Sequence, residues 1–233
     1  MRIAIIGYGK MGRMVEALAR GEGWEIGPKL DLEDNRCGSG ITPSSMAGVD
    51  VAIEFSQPDA VLGNIEAAAG AGLHLVVGTT GWAKDIGRVR TLVEQTGIGL
   101  VYGANFSVGM NLFFELAADA ARLIGRAPQY DPFLTEAHHR AKKDAPSGTA
   151  LSLLELVRPL LGNREPAIAV TRAGHIPGTH TLGFDSEADT ITLEHRVRNR
   201  QGFAEGAILA ARWIAGRKGC YDFRGVFREI MGL

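Results

Sequence analysis

The run RIAIIGYGKMGRMVEALAR, Arg2 to Arg20, decides the fold. Arg2 to Ile6 is a short apolar run rich in isoleucine, GYGKMGR follows, and Met11, Met14, Val15 and Leu18 then recur at helical spacing. Strand, turn and helix in that order open a βαβ unit, and this is the context in which Gly7, Gly9 and Gly12, spaced G-x-G-x-x-G, gain meaning. The first glycine permits the tight turn, the second lets backbone approach a pyrophosphate, and the third allows close helix packing. Free N–H groups and the dipole at the helix start favour that anion. Gly7, Tyr8, Gly9, Lys10, Met11 and Gly12 are therefore the first expected cofactor contacts. Asp31 closes the strand pattern WEIGPKLD, about 20 residues after the glycines, where an acid accepts hydrogen bonds from an adenosine ribose. That position favours NADH slightly over NADPH. Lys29 and Arg36 lie near enough in sequence to meet a 2′-phosphate, and Glu33 and Asp34 compete for the acidic role.

Working outward, VDVAIEF, LHLVVG and IGLVYG are three further strand patterns, separated by helical patterns over Asp59 to Ala71 and Trp82 to Gln95. Strands alternating with helices imply a parallel sheet with right-handed crossovers. After Asn105 the texture changes. Val108 to Ile124 forms a longer apolar helix, and PQYDPFLTEAHH and IAVTRAGHIPGTHTLGFDSEADTITLEHRV read as strands, the last of them a meander turning at DSEAD. From Arg200 the helix GFAEGAILAARWIAG leads to a short tail ending at Leu233. The expected fold class is α/β: a Rossmann-like parallel-sheet dinucleotide-binding domain, residues 1–106 with 200–233. A second α+β domain with a mostly antiparallel sheet, residues 107–199, carries substrate binding and oligomerisation.

Composition agrees with an ordinary globular protein. The 233 residues are 45% hydrophobic and 22% charged, with a formal net charge of −1 and no basic stripe, so no nucleic-acid partner is expected. Glycine, at 31 residues, is about twice the usual share, which calls for many tight turns or close approaches. Cys37 and Cys220 stand far apart without metal-ligand spacing and read as ordinary thiols of a reducing compartment. No apolar run approaches a membrane-spanning length, so no membrane partner is expected and the location reads as cytoplasmic.

The chemistry gathers in EAHHRAKKDAPSGTA, Glu136 to Ala150. His138 and His139 leave a strand on opposite faces, and no second histidine-rich or cysteine-rich cluster completes a ligand set, so no metal is expected. Lys142, three to four residues on, places a cationic amine beside the imidazoles, a pairing suited to anion binding and proton delivery. Pro146 stops the chain, Ser147 is a candidate N-cap, and the amides of Gly148 and Thr149 at a helix start make a cradle for a carboxylate. An acidic small-molecule substrate follows.

This stretch resembles the signature of the dihydrodipicolinate reductases, and EFSQPDA, VVGTTGW, ANFSVGMNLFFEL, RAGHIPGTH and RNRQGFAEGAILAARWI are similar to family segments in family order. The resemblance covers nearly the whole chain. It implies a homotetramer that takes hydride from NADH or NADPH to the C4 region of a cyclic imine dicarboxylate, with loss of the 4-hydroxyl, giving tetrahydrodipicolinate. It implies His138 as proton donor or acceptor and Lys142 as proton donor, with His139, Gly148 and Thr149 as substrate-carboxylate contacts. Gly78, Thr79 and Thr80 match residues beside the nicotinamide, Thr80 also toward the substrate. Ala104, Asn105, Phe106 and Ser107 match a second cofactor-lining segment, and Arg200 a cation near the substrate. Two departures bear on cofactor preference: GYGKMGR is one residue shorter than the glycine turn of many members, and Leu32 stands where some carry a phosphate-binding arginine. A homoserine or aspartate dehydrogenase would share the glycine turn without the His-His-x-x-Lys and Ser-Gly-Thr constellation. A silent nucleotide sensor would need neither.

Overall fold

Strand β1 (Arg2–Ile6) has Ile3, Ala4, Ile5 and Ile6 wholly out of water. Nothing less apolar fits there, because β1 is paired on both edges, in parallel with β2 (Glu25–Leu30) and β3 (Val51–Glu54), and covered on both faces. The two-residue side-chain period sends Ile3 and Ile5 into one core with Ile53, Val76 and Val101, and Ala4 and Ile6 into another with Ala52, Leu75, Val77 and Leu100. Strands β4 (His74–Val77) and β5 (Gly99–Tyr102) continue the parallel order.

The computed structural model describes residues 1–162 and 164–233, which divide into one unit of residues 1–108 with 201–233 and another of residues 109–200. In the first unit the helices are α1 (Lys10–Gly21), α2 (Val61–Gly70), α3 (Ile86–Thr96), α6 (Gln201–Ile214) and α7 (Phe223–Met231). Helix α1 turns Gly12, Val15 and Ala19 inward, and α3 ends where Gly97 adopts a left-handed φ of 67°.

The tail beyond α6 is more than a tail. Strand β10 (Gly219–Asp222) pairs in parallel with β5 and gives a six-stranded sheet of order β10-β5-β4-β3-β1-β2. Asp222 then caps α7, its side chain accepting from the Arg224 amide. Phe223 and Phe227 of α7 are almost wholly buried, each contributing roughly 1.5–3 kcal/mol of apolar burial.

The second unit opens within α4 (Val108–Ile124), at its second residue, and Met110, Phe113, Phe114, Ala117 and Ala121 face one core. Against them lie α5 (Gly148–Val157) and a four-stranded sheet of order β7-β6-β8-β9. These strands are β6 (Asp131–His138), β7 (Ala167–Arg172), β8 (Thr179–Asp185) and β9 (Thr190–Arg196). The expected meander is present in the antiparallel pairs β6·β8 and β8·β9, but β7 joins β6 in parallel. A parallel neighbour needs a crossover, and α5 supplies it.

Candidate active site

In the first unit the expected cofactor residues gather at the carboxyl ends of the parallel strands. Gly7 to Gly12 follow β1, Asp31 follows β2, Gly78 to Thr80 follow β4, and Ala104 to Ser107 follow β5. The sheet order reverses between β2 and β3 on either side of β1, and ligands of open α/β sheets bind at such a switch point. A cavity of about 90 Å³ lies there, lined by Gly7, Gly9, Asp31, Leu32, Phe55 and Ser56. A second, of about 280 Å³, is lined by Thr79, Thr80, Trp82, Tyr102 and Ala104.

The glycine turn fits a dinucleotide. Gly7 has a φ of 88°, and a Cβ there would press into the Phe55 carbonyl. Gly12 lies against the Gly7 carbonyl. Gly9, in contrast, caps α1 with no side-chain partner and has no atom within 4 Å of where a Cβ would stand, leaving the helix start open to a phosphate. Around it, Arg13 and Lys29 lie over the Tyr8 ring at 4.7 and 4.6 Å. Lys29 also meets Glu16 at 3.5 Å. The Tyr8 hydroxyl, and then Arg20, hold the Glu16 carboxyl down to about 2. Asp31 is exposed and accepts the Leu32 amide at 3.0 Å.

The loop after β3 supplies contacts that residue-by-residue reading left without a role. Glu54 is wholly buried and accepts from the Ser56 amide at 3.1 Å and from Asn64 at 3.3 Å. Burial pushes its carboxyl up, against those hydrogen bonds. Phe55 packs edge-on against Phe106, at 6.2 Å between ring centroids, and joins the loops after β3 and β5. The Trp82 indole donates to the Thr79 carbonyl at 2.8 Å and fixes the turn that carries Thr80.

In the second unit β6 alternates strictly, so Leu134, Glu136 and His138 are buried on one face, and His139, just past the strand end, is half-buried. Lys142 is held by both oxygens of Asp144, at 2.8 and 2.9 Å. The Asp144 carboxyl is lowered by Lys142 first and also accepts the Gly148 amide. Ser147 caps α5 as its position predicts, its hydroxyl accepting the Ala150 amide at 3.1 Å. Gly148 is exposed with open space where a Cβ would be, Thr149 is half-buried beside it, and Arg200 is exposed.

His138 meets Glu136, which shares its strand face, and partners from other strands that the sequence did not disclose. Glu136 Oε2 lies 3.4 Å from His138 Nδ1 and 3.6 Å from His180 Nε2, and the two rings are edge-on at 5.2 Å. Arg172 donates to Glu136 Oε1 at 2.6 Å and to the Asp144 carbonyl at 2.6 Å. The ligand atoms of Glu136, His138 and His180 lie within 4.8 Å of one another, a spacing open to a cation, although Arg172 and Ser147 already occupy the carboxylate.

Burial, and then His138, push His180 down to about 4 from 6.5, so the folded protein holds it neutral near pH 7. An unfolded chain takes up that proton more readily. Stability should therefore fall as pH drops from 6.5 to about 4 and level off below, by about 3 kcal/mol at most from His180. Urea midpoints at pH 7 and pH 4.5 check this, and His180→Asn should flatten the dependence. An equal slope in the variant would place the loss elsewhere.

A family model described as dihydrodipicolinate reductase, N-terminus, matches residues 1–106, and one described as dihydrodipicolinate reductase, C-terminus, matches residues 109–227. Among curated proteins, the 4-hydroxy-tetrahydrodipicolinate reductase of Christiangramia forsetii is 34% identical over 243 aligned positions, covering 99% of each chain. That of Cupriavidus necator is 35% identical over 271 positions, covering 100% of each. Among solved structures, a dipicolinate-bound dihydrodipicolinate reductase from a Paenisporosarcina species shares the fold with a TM-score of 0.78. Its identity is 22%, over 97% of this chain and 99% of that one.

Proposed function

The chain belongs to the dihydrodipicolinate reductase family, and from that premise we propose that it reduces 4-hydroxy-tetrahydrodipicolinate to tetrahydrodipicolinate, in the synthesis of lysine and diaminopimelate, with NADH or NADPH. One observation supports the substrate class most directly. The carboxylate of Asp144 rests on Lys142 and on the Gly148 amide at the start of α5, so a carboxylate already has a seat there. An incoming substrate carboxylate takes over those donors, with His139 and Thr149 beside them.

The nicotinamide, when bound, supplies the hydride. The chain's own residues do the rest. Gly7 to Gly12 and the α1 start hold the pyrophosphate, Asp31 the adenosine ribose, and Gly78 to Thr80 with Ala104 to Ser107 the nicotinamide end. Loss of the substrate's 4-hydroxyl as water leaves a conjugated imine, and addition of hydride to it builds negative charge on the ring nitrogen or its enamine, which calls for a proton and a nearby cation. Lys142 supplies the cation and a proton at Nζ, His138 exchanges a proton at its imidazole, and Arg200 adds positive charge near the substrate. Oxidation of NADH and NADPH, coupled to enzymatically generated substrate, tests the assignment. Absence of turnover with both cofactors overturns it. By the same family reading the enzyme is a cytoplasmic homotetramer, and the half-buried face of the second sheet, with Phe133, Thr135 and Thr181, suits contact with another copy.

For the cofactor, NADH should bind about tenfold more tightly than NADPH, a difference of about 1.4 kcal/mol. A carboxylate at Asp31 accepts from a free ribose hydroxyl and repels a 2′-phosphate. Lys29 is engaged by Glu16 and Tyr8, which weakens its offer to that phosphate. Paired titrations of wild type and Asp31→Ser check the point: the variant should gain NADPH affinity and lose some NADH affinity. NADPH binding at least as tight in the wild type, and unaltered in the variant, would give the choice to the cations.

A further inference from the structure

We infer that Glu136 is the positioning residue of the second unit: it orders the proton on His138 and, through Ser147, ties the start of α5 to the sheet. The inference rests on the proposed reaction for its meaning, while its geometry lies wholly within residues 109–200.

The Glu136 side chain is fully buried, and both of its oxygens are engaged. Oε1 accepts from the Ser147 amide at 3.0 Å and from Arg172 at 2.6 Å. Oε2 accepts from the Ser147 hydroxyl and is the carboxylate atom nearest to both buried imidazoles. Glu136 stands opposite His180 in the antiparallel β6·β8 register and two residues before His138 on the same face, so the backbone itself sets this meeting. Burial raises the Glu136 carboxyl, but Ser147 and Arg172 outweigh it and hold it ionised.

An ionised carboxylate only accepts. His138 Nδ1 is buried and makes no well-formed hydrogen bond to the described residues, and Glu136 Oε2 lies 3.4 Å away. The neutral ring therefore keeps its proton on Nδ1, toward Glu136, and presents Nε2 as the atom that exchanges a proton with a ligand. The other groups facing His138 are Lys142 and Asp144 from the following loop, Arg172 on β7 and His180 on β8, beyond which His195 on β9 acts on His180. Burial lowers His138, and among these groups Glu136 is the first that raises it. The same carboxylate fixes Ser147, whose hydroxyl caps α5, and Arg172 ties in the Asp144 carbonyl. One buried group thus orders the proton and the seat for the substrate carboxylate.

The test begins with wild-type protein and ¹⁵N shifts of the histidine side chains. His138 should be protonated at Nδ1 in its neutral form, and protonation at Nε2 would overturn the inference without any variant. Glu136→Gln keeps an acceptor for the Ser147 amide but removes the charge. Its turnover should fall about tenfold, the scale of a disturbed proton donor or acceptor, with the His138 titration moved to lower pH and NADH affinity unchanged. Glu136→Ala should in addition weaken binding of pyridine-2,6-dicarboxylate about tenfold, because Ser147 loses its anchor. A lowered melting temperature in both variants, with the His138 titration, turnover and dicarboxylate affinity at wild-type values, would make Glu136 a structural group and defeat the proposal. The tautomer and dicarboxylate measurements need no turnover, so a wild type inactive with both cofactors would remove the assigned reaction while these readouts still decide the role of Glu136.

Discussion

His138→Gln and Lys142→Ala are each expected to lower turnover about a hundredfold or more, the usual scale for a lost proton donor or acceptor. NADH affinity should survive, because its expected contacts belong to residues 1–108 and both substitutions lie within residues 109–200. The two should differ in their side effects. Lys142 is partly exposed and bound to Asp144, so its removal frees a surface carboxylate and leaves the core intact. His138 is buried between Glu136 and His180, and glutamine there must satisfy the same carboxylate. Steady-state turnover with a parallel NADH titration and a melting curve separates these effects. A folded variant of either kind with near wild-type turnover would remove that residue from the chemistry.

Gly7→Ala should abolish measurable cofactor binding, a loss of more than about a hundredfold. The left-handed φ of 88° alone costs an alanine about 1 kcal/mol, and the new methyl would meet the Phe55 carbonyl, which is backbone and cannot swing aside. The damage is to the turn, so the melting temperature should fall as well. Gly9→Ala provides the contrast, since its φ of −82° suits alanine and no atom lies near the added methyl. That variant should melt with the wild type yet bind NADH more weakly, because the methyl occupies the space above the α1 start. Equal cofactor affinity in all three proteins would show that the turn does not hold the dinucleotide.

Much of the first unit was legible because its elements are local. β1 and α1 declare themselves by a switch from continuous apolar residues to helical spacing, and α6 by fourteen residues of one amphipathic pattern. The α7 pattern was equally available, with Asp222 as a cap and Phe223, Val226, Phe227 and Ile230 at helical spacing, but β10 before it is four residues with no alternation to read. Pairing was the hidden quantity. Nothing local says that β7 lies parallel to β6, or that His180 stands opposite Glu136, because strand order is settled by the packing of whole elements. Hence His138 and Lys142 were visible in one short stretch, while Arg172 and His180, brought in from two other strands, were not. Glu136 was the exception: a residue two positions before His138 in a strand shares its face, and that signal was present.

The return of residues 201–233 to the first unit sets an order on synthesis. When the ribosome has finished residue 200, the second unit has every strand of its sheet and all the residues of its core. The first does not: β5 still has an open edge, and one face of the sheet lacks Ala204, Ala207, Ile208, Phe223 and Phe227. The half that begins first on the ribosome is therefore completed last, and for the length of the inserted unit it presents a bare strand edge and an apolar surface of the kind that chaperones hold and that aggregates form from.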